Sequence, residues 1–228
     1  MRSVREWDDV AAEARRNKTE VQIAHVFSIC VEKNSKLPEG HPNRKYKGRV
    51  VFQGNRVWNQ EWEEATFLDL GSAPATLEAA RFADCYGCII GHDTEVADAI
   101  QAYVQALVEG PACWVCLPPE ARPKDGSWNK FRRPVVRLIK ALYGHPDSGT
   151  MWEKHCDTHF RKAGFTPIGD EWRSVYFHKE LRVLLVVYVD DFKMSGPSEN
   201  VAQAWKLLQN GIVMDKPTPA NKFLGCTH

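Results

Sequence analysis

The stretch VLLVVYVDDFKMSG, from Val183 to Gly196, determines how this fold is interpreted. Seven apolar or aromatic residues run directly into two adjacent acids, Asp190 and Asp191, and the chain then becomes apolar again. A short apolar run that ends at a turn signal is typical of a buried strand. The stretch therefore predicts two adjacent strands joined by a tight turn, with both carboxylates at its tip.

The two adjacent carboxylates predict a cation site. Like charges side by side are costly unless a cation neutralises them, and Mg²⁺ takes one or two carboxylates together with substrate phosphates. A site for two metal ions needs a further carboxylate from elsewhere in the fold. Asp98, in the segment EVADAIQAYV, is the candidate because it adjoins another apolar stretch. The alternative is an ordinary turn, since Asp-Asp is a common turn dipeptide.

The rest of the chain alternates irregularly between helix and strand patterns. Apolar spacing predicts helices over 4–17, 74–90, 148–164 and 198–211, with Pro74 in the first turn after Ser72 and Ser198 as a cap. Residues 21–31 and 48–54 read as two strands around a basic loop, which favours a hairpin arm. The segment 95–110 fits either helix or strand. Some consecutive strands are predicted to pair as hairpins, so the fold class expected is α+β.

Charge is balanced overall but uneven along the chain. The net charge is +1 for 228 residues. Residues 33–56 carry seven Lys or Arg against one acid, Glu39, and residues 122–140 again carry seven against Asp125 alone. Two basic stretches can follow a nucleic-acid backbone, although such stretches are also found as solvated loops.

Several features indicate an intracellular protein without a membrane anchor. No apolar run approaches the roughly 20 residues that cross a bilayer, and the first 18 residues form a charged amphipathic pattern, unlike a signal peptide. Seven cysteines, an odd number without framework spacing, favour reduced thiols. The chain stops mid-pattern at NKFLGCTH, so we expect it to be a fragment of a longer protein.

Two other patterns suggest metal ligands. Cys85–Cys88 and Cys113–Cys116 form two CxxC pairs, but their separation exceeds the usual spacing of zinc sites, and residues i and i+3 of a strand face opposite sides. His155 and His159 lie one helical turn apart, with no evident third ligand. Buried or surface thiols and a solvated helix face are the competing interpretations.

The YVDD sequence at Tyr188–Asp191 resembles the catalytic signature of reverse transcriptases, and its neighbours resemble the copia-type LTR retrotransposon branch. Five further blocks resemble that branch in the same order: KYKGRVVFQG from Lys45, ATFLDLGSAPATLEAAR from Ala65, DAIQAYVQALVEGPACWVCLPPE from Asp98, VRLIKALYGHPDSGTMWEKH from Arg137, and KFLGC from Lys222. This collinear order is more specific than YVDD alone.

The resemblance implies the fingers and palm of a polymerase, with an antiparallel or mixed palm sheet packed on helices and the thumb missing. Residues 1–228 would form one reverse transcriptase region, with about 18–90 and 111–150 rich in fingers and about 91–110 and 151–228 rich in palm. The implied activity is RNA-directed DNA polymerisation, in which two Mg²⁺ ions (or Mn²⁺ as a substitute) assist attack of a primer 3′-hydroxyl on a dNTP.

The resemblance also implies roles for individual residues. Asp98, Asp190 and Asp191 would be the catalytic metal ligands, with Asp98 and Asp190 as the main bridges between the metal ions and Asp191 contributing less directly. The remaining candidates are implied to contact the incoming nucleotide (Lys47, Arg49, Ala99, Ile100, Tyr103 and Asp147) or the primer and template (Tyr188 and Val189). Tyr103 would act as a steric gate that excludes a 2′-hydroxyl, with an ordinary core tyrosine as the alternative.

The chain also departs from the family pattern. The family's LKQAPR reads HPDSGT here, so Asp147 replaces a Gln and Thr150 an Arg, while Gln53 replaces a further Arg. An acid near the incoming phosphates is unfavourable unless it points away. The alternative function is therefore a degraded or domesticated module that binds nucleic acid or a partner without catalysis.

The partners implied are an RNA or DNA template with primer, dNTPs, and the remaining segments of a retroelement polyprotein, namely thumb, RNase H and integrase. No membrane partner is expected. The implied location is intracellular, in cytoplasmic virus-like particles or in the nucleus.

Overall fold

The structure, a computed structural model, describes residues 4–67, 72–224 and 226–227. The helices are α1 Trp7–Asn17, α2 Leu77–Gly87, α3 Ser148–Lys162 and α4 Ser198–Gln209, with short 3₁₀ turns at Ala102–Gln105 and Pro119–Ala121. The strands are β1 Arg5–Glu6, β2 Val21–Lys33, β3 Lys45–Phe52, β4 Trp58–Asn59, β5 His92–Asp98, β6 Ala112–Cys116, β7 Pro134–Arg137, β8 Phe165–Pro167, β9 Val175–His178, β10 Val183–Tyr188, β11 Asp191–Pro197, β12 Thr218–Pro219, β13 Lys222–Phe223 and β14 Cys226–Thr227.

The chain forms two compact units. The first comprises Met1–Asp69 and Leu107–Ser148, and the second comprises Leu70–Ala106 and Gly149–His228. Each unit therefore takes two separate stretches of the chain. No helix among the described residues is long and apolar enough to cross a membrane.

The first unit is built on a mixed sheet with the order β1-β7-β6-β2-β3, and β4 also pairs with β2. β2 and β6 run parallel, and the other pairs are antiparallel. Helix α1 covers one face, where Trp7 and Val10 pack with Ile23 of β2. Beyond this core, β2 and β3 continue as the exposed hairpin arm that the basic loop predicts.

The second unit holds an antiparallel sheet with the order β12-β5-β11-β10-β9-β8. Its central strands are buried because helices cover both faces. Alanines of α2 pack on Leu184 and Val186 on one face. On the other face, rings of α3, Trp152 and Phe160, pack against Phe192. The prediction of two adjacent strands joined by a tight turn is confirmed by the β10–β11 hairpin, but the turn lies one residue earlier than predicted, at Val189 and Asp190, and Asp191 is the first residue of β11.

One predicted helix start and one predicted helix cap are wrong. Helix α2 begins at Leu77, and its cap is Thr76, whose hydroxyl accepts a hydrogen bond from the Ala79 amide. Pro74 lies before it, in a segment held against β10 because the Ala75 amide donates to the Val187 carbonyl. Ser198 does not cap α4 but is its first residue, and its hydroxyl donates to the Gly91 carbonyl.

The ambiguous segment 95–110 contains both kinds of structure. It continues β5 as far as Asp98, turns through Gln101 in a left-handed conformation (φ 51°), and forms the 3₁₀ turn. The strand part is explained by pairing of β5 with β11 on one side and β12 on the other.

Candidate functional site

The tip of the β10–β11 hairpin is a two-residue turn made by Val189 and Asp190. Tyr188 and Asp191 are the last paired residues of the two strands. Val189 has a φ of 55°, a conformation that glycine normally supplies at the first central position of such turns. A β-branched residue there is strained, and strain of this kind persists only where the surroundings hold it.

The third predicted carboxylate lies beside this turn. Asp98 ends β5 directly opposite Asp191 of β11, and, in addition to partial burial, its carboxylate is among the groups that raise the pKa of Asp191. The Ala99 amide, immediately after Asp98, donates to the Asp190 carbonyl at 2.7 Å. Residues almost a hundred positions apart in sequence therefore meet at one end of the sheet.

The carboxylates influence one another electrostatically. Partial burial raises the pKa of Asp191 to about 6, and the charges of Asp98 and Asp190 and the hydrogen bond to Asp98 act in the same direction. Asp98 and Asp190 are exposed, whereas Asp191 is half-buried. A raised pKa of this origin means that the ionised form of Asp191 is disfavoured where it lies, and a cation bound beside it would favour that form.

Across the described residues, no group of three or more His, Cys, Asp and Glu side chains is arranged to hold a metal ion. The structure presents a close pair, Asp98 and Asp191, with Asp190 next to it. Such a pair nevertheless fits a hard divalent cation, which needs only one or two carboxylates when substrate phosphates supply the other oxygens.

The predicted nucleotide contacts after Asp98 form one braced loop. Ala99 is buried and Ile100 is exposed, while Tyr103 is half-buried on the 3₁₀ turn. The Ile100 amide donates to the Val213 carbonyl. Gln105 closes the loop: its amide group donates to the carbonyls of Ile100 (2.7 Å) and Val213 (2.8 Å), and its side-chain oxygen accepts from the Val213 amide (2.8 Å).

The predicted primer contacts, Tyr188 and Val189, lie at the same hairpin tip. The Tyr188 ring is 38% exposed, which leaves a surface that a ligand can contact. Val189 is half-buried, and its carbonyl accepts a hydrogen bond of 2.7 Å from the indole of Trp152 on α3.

Lys47, Arg49 and Asp147 belong to the first unit. Lys47 and Arg49 are exposed on β3, and the Arg49 guanidinium lies 5.2 Å from the centre of the Tyr143 ring. Asp147 is half-buried, and its amide donates to Nδ1 of His145. Burial lowers the pKa of His145 to about 4, so this imidazole is neutral and can accept that bond.

The cysteine pairs have the geometry expected of separate thiols. Cys113 and Cys116 lie in β6 in two different core clusters, because residues three apart face opposite sides of a strand. Burial raises the pKa of Cys113 to about 12 and also raises that of Cys116, which keeps both thiols protonated. Cys85 and Cys88 are exposed, at the end of α2 and just beyond it.

The two histidines of α3 lie against each other, with ring centres 4.5 Å apart. Burial, and secondarily the charge of Lys162, lowers the pKa of His159. His155 stacks on Trp152.

Sequence reasoning missed three residues that shape the site. Gln105 carried no motif signal. Trp152 was expected only as an apolar helix residue, and Lys193 of β11 stood unnoticed inside an apolar run. Lys193 is fully buried and forms an ion pair with Asp84 of α2. A lysine in the middle of a buried strand was the one available signal, because lysine is almost never fully buried unless it is paired.

Comparison with known proteins agrees with this geometry. A model of the family described as "Reverse transcriptase (RNA-dependent DNA polymerase)" matches residues 18–227, which include every predicted site residue. No curated protein matches the chain. Since the family match extends over most of the chain, including both the hairpin and the strand that carries Asp98, the protein belongs to the reverse transcriptase family.

Proposed function

We propose that the protein is the fingers and palm part of a copia-type retrotransposon reverse transcriptase, which adds dNTPs to a primer 3′-hydroxyl by two-metal-ion nucleotidyl transfer. The observation that carries this proposal is the pairing of Asp98 with Asp191 beside the turn that holds Asp190. Together with the family match, the raised pKa of Asp191 supports a site that a cation neutralises.

Asp98 and Asp190 would be the main ligands of two Mg²⁺ ions, for which Mn²⁺ can substitute, and Asp191 would contribute less directly. When bound, such ions would supply Lewis acidity to the primer hydroxyl and the reacting phosphate. The protein's own part is to hold these carboxylates together and to keep Asp191 ionised in the presence of the cation.

The neighbouring residues would orient the substrates. The backbone of Ala99 and Ile100 would lie along the triphosphate, and Tyr103 would exclude a ribose 2′-hydroxyl. Lys47 and Arg49 would contact phosphates, which is supported by their exposure on the basic arm. Tyr188 and Val189 would pack under the primer end.

The proposed context is a polyprotein of a retroelement. An RNA or DNA template with its primer and dNTPs would be the substrates, and the thumb, RNase H and integrase would be the companion segments. We propose about 18–90 and 111–150 as fingers-rich and about 91–110 and 151–228 as palm-rich, inside a cell, in cytoplasmic virus-like particles or the nucleus.

One observation favours a second function, nucleic-acid binding without catalysis. Asp147 stands where the family has Gln, and Thr150 where it has Arg. An acid at a nucleotide-contacting position repels phosphate. A module that has lost catalysis would retain the fold and the basic arm.

Primer extension on an RNA template with dNTPs and Mg²⁺ tests the proposal. The chain would be compared with the same chain fused to a thumb and RNase H region of a copia-type element, and with that fusion carrying Asp190→Asn. We expect extension by the fusion and none by its Asp190→Asn variant. A fusion that binds template–primer but does not extend it, even with Asp147→Gln, would establish the non-catalytic function instead.

A further inference from the structure

One side chain contacts both flanks of the adjacent acids Asp190 and Asp191. The indole N–H of Trp152 donates to the Val189 carbonyl at 2.7 Å, just before the acids. Its ring stacks nearly parallel on Phe192, just after them, with centroids 6.5 Å apart and planes 4° from parallel. Trp152 is 2% exposed, so water does not compete for either contact.

The hydrogen bond falls on the strained residue of the turn. Val189 keeps a φ of 55° although its side chain is β-branched, and such a conformation persists only where neighbours determine it. The Val189 carbonyl and the Asp190 amide share one rigid peptide plane. A donor that holds this carbonyl therefore sets the direction in which the backbone enters Asp190.

The next carbonyl of the turn is also held. The Asp190 carbonyl accepts from the Ala99 amide at 2.7 Å. Trp152 of α3 thus fixes the Val189–Asp190 peptide group, and Ala99, just after β5, fixes the Asp190–Asp191 peptide group. Trp152 is itself rigid, because it is buried and stacked on His155 at 5.6 Å.

We propose that Trp152 is a positioning residue: its indole holds the Val189 peptide in the left-handed conformation and thereby places the carboxylates of Asp190 and Asp191. The consequence for cation binding rests on the function proposed above. The effect on the turn itself does not, and it is measurable without any metal.

The chain offers a matched control. Trp152→Phe keeps an aromatic ring next to Phe192 but removes the N–H donor, and 3-benzothienylalanine at position 152 does so with almost no change of shape. Trp205 is equally buried (2% exposed), but its indole N–H has no hydrogen-bond acceptor among the described residues. Trp205→Phe therefore reports the loss of a buried indole without the loss of a bond to the turn.

Amide hydrogen exchange of Ala99, measured in the full chain without metal, reports how firmly the turn is held, because this amide donates to the Asp190 carbonyl. Relative to Leu185 in the middle of β10, we expect exchange of Ala99 to accelerate at least tenfold in both position-152 variants and to stay unchanged in Trp205→Phe. Val189→Gly, which adopts positive φ without strain, should return Trp152→Phe to within about threefold of the wild-type rate. Unchanged Ala99 exchange in the position-152 variants, or equal acceleration in Trp205→Phe, would overturn the proposal.

Mn²⁺ binding, followed by electron paramagnetic resonance, measures the consequence for the carboxylates. We expect Trp152→Phe to raise the Mn²⁺ dissociation constant about tenfold and the added Val189→Gly to recover most of that loss. Wild-type affinity in Trp152→Phe would contradict a role in placing the carboxylates. If Asp190→Asn binds Mn²⁺ like the wild type, the cation site of the proposed function fails, while Ala99 exchange still decides the role of Trp152.

Discussion

Asp98 and Asp191 are directly opposite each other in the antiparallel strands β5 and β11, where, in addition to partial burial, the charge of Asp98 helps to raise the pKa of Asp191. Asp191 is the more buried member and is the one whose pKa is raised, to about 6. Without a cation, the pair is therefore partly neutralised by a proton at mildly acidic pH.

Asp191 should make stability depend on pH in an unusual direction. Its pKa rises from 3.8 to about 6 on folding, so between these values the folded chain holds a proton that the unfolded chain has released. The free energy of unfolding therefore falls as pH rises through this window and levels off above it. Asp191→Asn removes this contribution. Urea unfolding in EDTA should show the variant gaining on the order of 1 kcal/mol relative to wild type between pH 4 and 7, after allowance for partial exposure.

Two comparisons make this measurement specific. Asp170→Asn, which removes an exposed carboxylate of the same unit, controls for the loss of one charge. Added Mg²⁺ should reduce the advantage of Asp191→Asn above pH 6, because a cation stabilises the ionised pair. If the difference between Asp191→Asn and wild type is the same at pH 4 and pH 7, the strain that we assign to the ionised pair is absent.

The buried ion pair beneath the site should respond unequally to loss of its two members. Lys193 is fully buried, contacts Asp84, donates to the Ala80 carbonyl and lies 5.1 Å from the centre of the Phe223 ring. Asp84→Asn takes the carboxylate from a buried ammonium and should cost roughly 3 kcal/mol or more in the free energy of unfolding. Lys193→Met leaves a carboxylate that is 31% exposed and can be hydrated, so its cost should be smaller, about 1 kcal/mol.

Urea unfolding of both single variants and of the double variant measures this asymmetry. The double variant should recover most of the loss of Asp84→Asn, since neither charge is then buried alone. Glu61→Gln is the matched control, because it breaks an exposed pair with Arg15 and should cost less than about 1 kcal/mol. A larger cost for Lys193→Met than for Asp84→Asn would show that the lysine stem, not its charge, matters most.

Local patterns in the sequence predicted the local structure well. The β10–β11 hairpin, the hairpin arm and helices α1 and α3 follow from apolar spacing and from turn or loop residues close to them in the sequence. The start of α2 was misplaced because Ser72 and Thr76 are both acceptable caps by residue type, and only the pairing of Ala75 with Val187 decides between them.

The contacts that brace the site depend on tertiary structure and could not be read from spacing. Trp152 and Val189 are 37 positions apart, and Gln105 and Val213 are 108 apart. Periodicity correctly places Trp152 on a buried face, yet it contains no information on which carbonyl its N–H meets. Asp98 was found from its apolar surroundings, but its position opposite Asp191 depends on strand order, which a single sequence does not specify.

The close approach of Gly144 to the end of β3 should make the first unit sensitive to a single added methyl group. Gly144 has a φ of +88°, and a Cβ there would overlap the Phe52 carbonyl and lie 2.8 Å from Val51. The Phe52 amide also donates to the Tyr143 carbonyl, so the two segments cannot separate without losing that bond. Gly144→Ala should therefore lower the free energy of unfolding by roughly 3 kcal/mol or more, measured by urea unfolding.

Gly110→Ala distinguishes the cost of a positive φ from the cost of steric overlap with Phe52. Gly110 has a similar φ of +81°, but a Cβ there meets nothing within 4 Å. Its replacement should cost only about 1 kcal/mol, the conformational penalty alone. Equal losses in the two variants would mean that positive φ, and not contact with Phe52, explains the need for glycine at position 144.

The position of the loop that carries Tyr103 should depend on Gln105. Gln105 holds this loop by three hydrogen bonds, two with Val213 and one to the Ile100 carbonyl, so Gln105→Ala should let the 3₁₀ turn move. If Tyr103 excludes the 2′-hydroxyl, the ratio of dNTP to rNTP incorporation by the active fusion should fall several-fold, with Tyr103→Val giving the larger loss. Gln203→Ala, on the exposed side of α4, should leave the ratio unchanged.

The Val213 amide should exchange faster in Gln105→Ala, since it loses its acceptor. Faster exchange with an unchanged ratio would show that discrimination at the sugar does not depend on this brace.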